Sequence, residues 1–165
     1  MENIKGLKRT RLCTELSVND VGKEVVLMGW VQRRRDLGAL IFVTLRDRSG
    51  IIQVVFDEAK YPEVFEKATA LRSEYVISVK GEVIARDEHN INPALKTGQI
   101  EVEATQLKIL SEAETPPFFI DDEVNANDAI RYKYRYLDLR RPYLQKILVT
   151  RSKTAAVIRN YFNEN

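Results

Sequence analysis

"LIFVTLRDRSGIIQVVFD", Leu40 to Asp57, holds two apolar runs of period two around the turn-forming residues Asp47 to Gly50. If those four residues form the loop, Arg46 faces Ile51, Thr44 faces Gln53 and Phe42 faces Val55. The other face then pairs Leu45 with Ile52, Val43 with Val54 and Ile41 with Phe56. That face is wholly apolar and belongs to the core. A slip of one residue would mix the two faces, so the register is well specified. Phe42, Thr44, Arg46 and Gln53 therefore share the outward face, and an aromatic ring stands among polar groups.

Upstream, the pattern from Glu24 also has a period of two. Val25, Leu27, Gly29 and Val31 alternate with Val26, Met28 and Trp30, so both faces are apolar. Gly29 is a suitable place for a bend. Three arginines, Arg33 to Arg35, run straight out of this strand. Downstream, Pro62 suits the first turn of a helix whose Val64, Phe65, Ala68 and Leu71 line one side. A fourth strand, Tyr75 to Arg86, keeps Tyr75, Ile77, Val79 and Val83 in phase. A loop of turn formers, "DEHNINPALKTG", leads to a fifth strand, Gln99 to Ile109. Its apolar phase shifts from Ala104 to Leu107, which predicts a bulge near Thr105 or Gln106.

Three strands, a helix and two strands are the element order of a mainly β, five-stranded OB barrel with its helix between strands three and four. From Ser111 the character changes. "SEAETPPFFIDDEVNAND" reads as a linker whose "PPFFI" could dock on a neighbouring surface. "DAIRYKYRYLDLRRP" starts as a short basic, aromatic helix, and Leu144 to Phe162 forms a longer amphipathic one. The expected division is residues 1–110 as the barrel, 111–142 as linker with a short helix, and 143–165 as the opening of a further domain.

The chain has 165 residues, 30% of them charged, with a net charge of only +2. Binding to an acidic partner must therefore rest on local clustering. The single cysteine, Cys13, rules out an internal disulfide and a cysteine metal site. It reads as a small, semi-buried side chain. The single histidine, His89, sits in a polar loop and reads as a surface residue. The start is too polar for a secretory signal, and no apolar run approaches the roughly 20 residues of a membrane span. The chain reads as cytoplasmic.

An OB face with an exposed ring and nearby cations suits single-stranded nucleic acid. Bases stack on the ring, arginines offset phosphate charge, and side-chain amides read base edges. Phe42 is the stacking platform, Gln53 the edge reader, and Arg33, Arg35 and Arg46 the candidates for phosphate or base contacts. Taken singly, each has a structural reading. An arginine run is often a solvated edge, Phe42 could be covered by the tail, and Trp30 fits a core. Gln53 and Glu101 would pass as ordinary surface residues. The joint placement of Phe42, Thr44, Arg46 and Gln53 favours a polynucleotide.

"GWVQRRRDLGALIFVTLRDRSGIIQVVFD", "ARDEHNINPALKTGQIEVEA" and "RYKYRYLDLRRP" together resemble bacterial-type aspartyl-tRNA synthetases, from about Arg11 to Asn165. The resemblance implies an N-terminal anticodon-binding domain. It implies that Phe42 stacks on the middle anticodon base and that Gln53 reads that uracil. It places Arg35 and Glu101 against the flanking anticodon bases, and Arg86 and Asn90 beside the first. The implied partner is the anticodon loop of a GUC-type tRNA, with a homodimeric parent enzyme that uses ATP and Mg²⁺ to activate aspartate. The resemblance reaches only the helix that opens the first class II motif. No residue is carried over as catalytic or metal-binding, and this chain alone is expected to be inert and to need no cofactor. The competing expectations are a general single-strand-binding OB protein and an OB domain whose face binds protein.

Overall fold

The computed structural model describes residues 2–123 and 126–165. Met1, Val124 and Asn125, the last two within the segment read as a linker, lie outside the described residues. The chain divides into two compact units, Met1–Thr115 and Pro116–Asn165.

In the first unit, five strands close into a barrel: β1 (Glu24–Asp36), β2 (Leu40–Asp47), β3 (Gly50–Asp57), β4 (Val76–Ala85) and β5 (Ile100–Ser111). Around the barrel they run β1-β2-β3-β5-β4, with β3 and β5 parallel and every other pair antiparallel. Helix α1 (Pro62–Thr69) lies between β3 and β4, as the OB order requires. The expected β2–β3 register is present pair for pair, from Ile41 opposite Phe56 to Arg46 opposite Ile51. It extends one step to Asp47 opposite Gly50, leaving Arg48 and Ser49 as the turn. The Asp47 carboxylate braces that turn by accepting from the Ser49 N–H at 2.7 Å and from the Cys13 N–H at 2.9 Å.

The inward rows of all five strands fill the barrel. Leu27, Val31, Ile41, Val43, Leu45, Ile52, Val54, Phe56, Ile77 and Val79 are each fully buried. Ala68 and Leu71 add to the same core, with Val64 and Phe65 packed against it. Cys13 is wholly buried rather than semi-buried, and burial pushes its thiol well above the usual range. The predicted irregularity in β5 is found: Lys80 faces Gln106 and Gly81 faces Ala104, so Thr105 is the extra residue. In β1 the strand continues through all three arginines, farther than apolar periodicity could reveal. Its first half pairs with β4 and its second with β2, the exchange falling at Trp30. The register shift lies between Val31 and Arg33, making Gln32 the extra residue. At Gly29, the expected place of a bend, the structure shows a close approach of two strands: a Cβ there would collide with the Arg46 carbonyl oxygen.

The second unit contains α2 (Asp128–Lys133), α3 (Arg135–Asp138) and α4 (Pro142–Glu164). The expected single basic helix is broken at Tyr134, whose φ of −106° and ψ of 43° are not helical. Asp138, wholly buried, accepts from Arg131, Arg135 and Arg141. Burial raises its carboxyl, but the hydrogen bonds from Arg131 and Arg141 outweigh this and hold it below the usual range. Within "PPFFI", Phe118 and Ile120 are buried and Phe119 is exposed.

The close approach at Gly29 yields a test. Gly29→Ala is expected to cost about 1–3 kcal/mol by forcing the β1 and β2 backbones apart. A urea titration showing an unchanged midpoint would contradict that packing.

Candidate nucleic-acid interface

Outward residues of β1, β2, β3 and β5, with the segment after β4, line a cleft of about 680 Å³ on the barrel wall. Arg33 and Arg35 come from β1, Phe42 and Thr44 from β2, Gln53 and Val55 from β3, Glu101 and Glu103 from β5. Arg86, Asp87 and Asn90, from the segment after β4, complete this part of the lining. Alternation places these side chains here, because each strand sends its intervening apolar residues into the barrel.

Phe42 is half-buried and is not part of the core cluster. Val55, opposite it, is buried and backs the wall. Arg35, also directly opposite Phe42 on the other neighbouring strand, carries its guanidinium 5.9 Å from the ring centroid. That geometry allows a cation–π contact. Arg35 Nη2 donates to Gln53 Oε1 at 3.2 Å, and Gln53 Nε2 donates to Glu101 Oε2 at 2.7 Å. Arg86 Nε lies 3.7 Å from the same carboxylate oxygen and donates to the Ile100 carbonyl at 3.0 Å. Burial pulls the Arg86 guanidinium below its usual range while Glu101 pulls the other way. Its Nη2 is buried and has no hydrogen-bond partner among the described residues. Arg33 is exposed at the rim.

Seven of the eight residues expected from the sequence thus border one cleft: Arg33, Arg35, Phe42, Gln53, Arg86, Asn90 and Glu101. Arg46, expected with them, is instead turned away. Its Nη2 donates to both carboxylate oxygens of Glu74, at 2.8 and 2.7 Å, in a mostly buried ion pair. Glu74 has a φ of 66°, a conformation that a non-glycine residue adopts at a cost. Its N–H donates to the Val31 carbonyl at 2.6 Å, so the pair fastens the turn before β4 to β1 and β2.

Several cleft residues escaped the sequence reading. Asp57 and Glu103 continue the outward phases of Gln53 and Glu101, so alternation could have found them. Leu37, Asn92 and Leu95 lie in loops, where no periodicity announces them. With these acids counted, the lining has three arginines against Asp57, Asp87, Glu101 and Glu103. Glu103 is paired with Lys60. The cleft is charged but not basic, which suits directional contacts better than a general attraction for phosphate.

A barrel of this topology, with a ring, an amide and paired charges on its outer wall, defines an oligonucleotide-binding module. The family model of the OB-fold nucleic acid binding domain matches residues 25–110, and the chain belongs to that family. The family model of class II tRNA synthetases (D, K and N) matches residues 127–165. The two matches describe an OB-fold nucleic acid binding domain followed along the chain by class II tRNA synthetase (D, K and N) sequence. Over 164 residues it is 56% identical to the aspartate–tRNA(Asp/Asn) ligase of Thermoanaerobacter sp. (strain X514), spanning 99% of this chain and 28% of that protein. The aspartate–tRNA ligase of Clostridium novyi (strain NT) is 52% identical over 99% of this chain and 27% of its own length. The chain therefore spans less than a third of these relatives. Among solved structures, asparaginyl-tRNA synthetase from Pyrococcus horikoshii complexed with asparaginyl-adenylate superposes with a TM-score of 0.79 at 29% identity, over 96% of this chain and 35% of that one. Aspartyl tRNA synthetase from Entamoeba histolytica shares the fold, with a TM-score of 0.84 at 20% identity, over 97% of this chain and 38% of its own.

The two arginine environments predict different consequences. Arg46→Ala removes the cation facing a buried carboxylate and is expected to cost about 3 kcal/mol of stability. Arg33→Ala, at the exposed rim, should change stability by less than about 0.5 kcal/mol. Denaturation followed by Trp30 fluorescence separates them, and equally small effects would refute the assignment of Arg46 to the fold.

Proposed function

We propose that the cleft binds the anticodon loop of an aspartate tRNA and reads its middle base. The observation that carries this reading is the placement of Gln53 on the same wall as the Phe42 ring, with Arg35 touching both. A base lying on Phe42 would present its edge toward Gln53, which can donate and accept at once. Arg35 and Glu101 would meet the flanking anticodon bases, Arg86 and Asn90 would lie beside the first of them, and Arg33 would meet the backbone. Arg46 takes no part in this proposal.

The mixed charge of the lining favours this over general single-strand binding, which relies on a positive groove along the backbone. Where this segment belongs to a ligase of the relatives' length, we propose that the ligase is a cytoplasmic homodimer. It would activate aspartate with ATP and Mg²⁺ and esterify its tRNA, and no residue of this chain is assigned a part in that chemistry. Within the segment, the proposed division is residues 1–110 for anticodon binding, 111–142 as connection and 143–165 as the opening of the catalytic domain. Among the described residues, no helix is long and apolar enough to cross a membrane.

The deciding experiment compares a stem-loop carrying GUC with one whose middle base is changed, by fluorescence anisotropy of labelled RNA. Tighter binding of the GUC loop is expected, and equal affinity would remove the proposed selectivity. Phe42→Ala should weaken binding of the GUC loop by about 1–3 kcal/mol while the far-ultraviolet circular dichroism stays unchanged. Undiminished affinity would end the stacking role.

A further inference from the structure

Val26 and Met28 are buried, yet they belong to the outward row of β1 and stand outside the core cluster. Ser78, opposite Met28 on β4, is outward and fully buried as well. The segment before β1 crosses this wall as a strap. At β5, the Glu2 N–H donates to the Ile109 carbonyl and the Ile109 N–H to the Glu2 carboxylate, both at 2.8 Å. Lys67 pairs with the same carboxylate at 2.7 Å. Lys108 Nζ donates to the Asn3 and Lys5 carbonyls at 3.1 and 3.0 Å. At β1, Arg9 Nη2 donates to the Met28 carbonyl at 3.0 Å. The Thr10 N–H donates to the Val26 carbonyl at 3.0 Å, and the Val26 N–H to Thr10 Oγ1 at 2.9 Å. Leu7, between these anchors, is half-buried.

Fastened in this way, the strap presents its charges to solvent. Residues 3–11, "NIKGLKRTR", carry Lys5, Lys8, Arg9 and Arg11 and no acid. All four are exposed, and none forms an ion pair among the described residues. Two of the three cleft arginines differ, because Arg35 is bonded to Gln53 and Arg86 stands beside Glu101. We propose that the strap is a second RNA-binding surface, which holds the sugar–phosphate backbone outside the bases taken by the cleft. From the anticodon reading this takes only that the partner is RNA. The cleft lies at the end of β1 and the start of β5, whereas the strap lies over the start of β1 and the end of β5. The two surfaces therefore meet different parts of one RNA. Unpaired cations release counterions from phosphate and carry no base information, so the strap supplies affinity and the cleft supplies choice. Its anchors hold the four charges in place before binding, which reduces the ordering cost of association.

The test uses the intact chain and two full-length tRNA transcripts, one carrying GUC and one with its middle anticodon base changed, titrated over a series of salt concentrations. The variant combines Lys5→Gln, Lys8→Gln and Arg11→Gln; Arg9 is kept because it bonds the barrel. Its slope of log affinity against log salt is expected to be shallower by about 2, with both transcripts weakened by the same factor. An unchanged slope would overturn the proposal. Removing three charges elsewhere, from exposed Lys146, Arg151 and Lys153 on α4, should leave the slope as it was. Equal flattening there would overturn the assignment to the strap. Lys5→Arg, Lys8→Arg and Arg11→Lys together should retain the wild-type slope, since phosphate attraction depends on charge more than shape; a flattened slope would count against the proposal. Wild-type binding that ignores the middle base, with a flattened slope in the glutamine variant, would remove the anticodon reading and leave the strap standing. Selective binding with an unchanged slope would do the reverse.

Discussion

The inward row of the β2–β3 hairpin, with Ile41, Val43 and Leu45 facing Phe56, Val54 and Ile52, determines where every cleft residue can stand. All six side chains are fully buried, and burial of each is worth roughly 1.5–3 kcal/mol. Shifting the pairing by one residue would hide Phe42 and expose most of that row. The exchange would forfeit several times what it returned. Phe42 is held on the outer wall by the packing of its neighbours, and the outward position of Gln53 follows from the same register.

A wall fixed in this way supplies positions, and the charges on it determine what kind of ligand fits. Arg35, Arg86 and Glu101 spend the free state engaged with one another or with Gln53. A ligand in the proposed mode would replace contacts already made, so its net gain from charge is small. Selectivity then comes from directional hydrogen bonds and from stacking. This separates the cleft from a groove that holds any single strand by counterion release, where affinity would track the number of phosphates neutralised.

How far the sequence could be read depended on whether a residue belonged to a periodic pattern. The hairpin register was legible because one face was apolar at every position. The bulge at Thr105 was legible because the apolar phase changed there. The extension of β1 through Arg33, Arg34 and Arg35 left no apolar trace, and the break at Tyr134 sits inside a sequence that reads as one helix. The fate of Arg46 could not be read at all. Its partner Glu74 is far along the chain, on a turn with a positive φ that no local motif predicts. Among the cleft residues, the seven that fell on outward strand phases or in the resemblance were found, whereas Leu37, Asn92 and Leu95, in loops, were not.

The extra residue in β1 connects the barrel to its proposed ligand site most directly. Val31 faces Leu45 and points inward; past Gln32, Arg33 faces Thr44 and Arg35 faces Phe42, both outward. In an uninterrupted ladder Gln32 would face Thr44, and Arg33 and Arg35 would take the inward phase, against an apolar interior that cannot hold two unpaired guanidinium groups. The bulge reverses the phase of everything beyond it. It turns both arginines to the wall that carries Phe42 and Gln53, while Arg34 takes the opposite side, bonded to Asp36 at 2.6 Å. The three arginines are consecutive, and one unpaired backbone position decides which of them can meet a ligand.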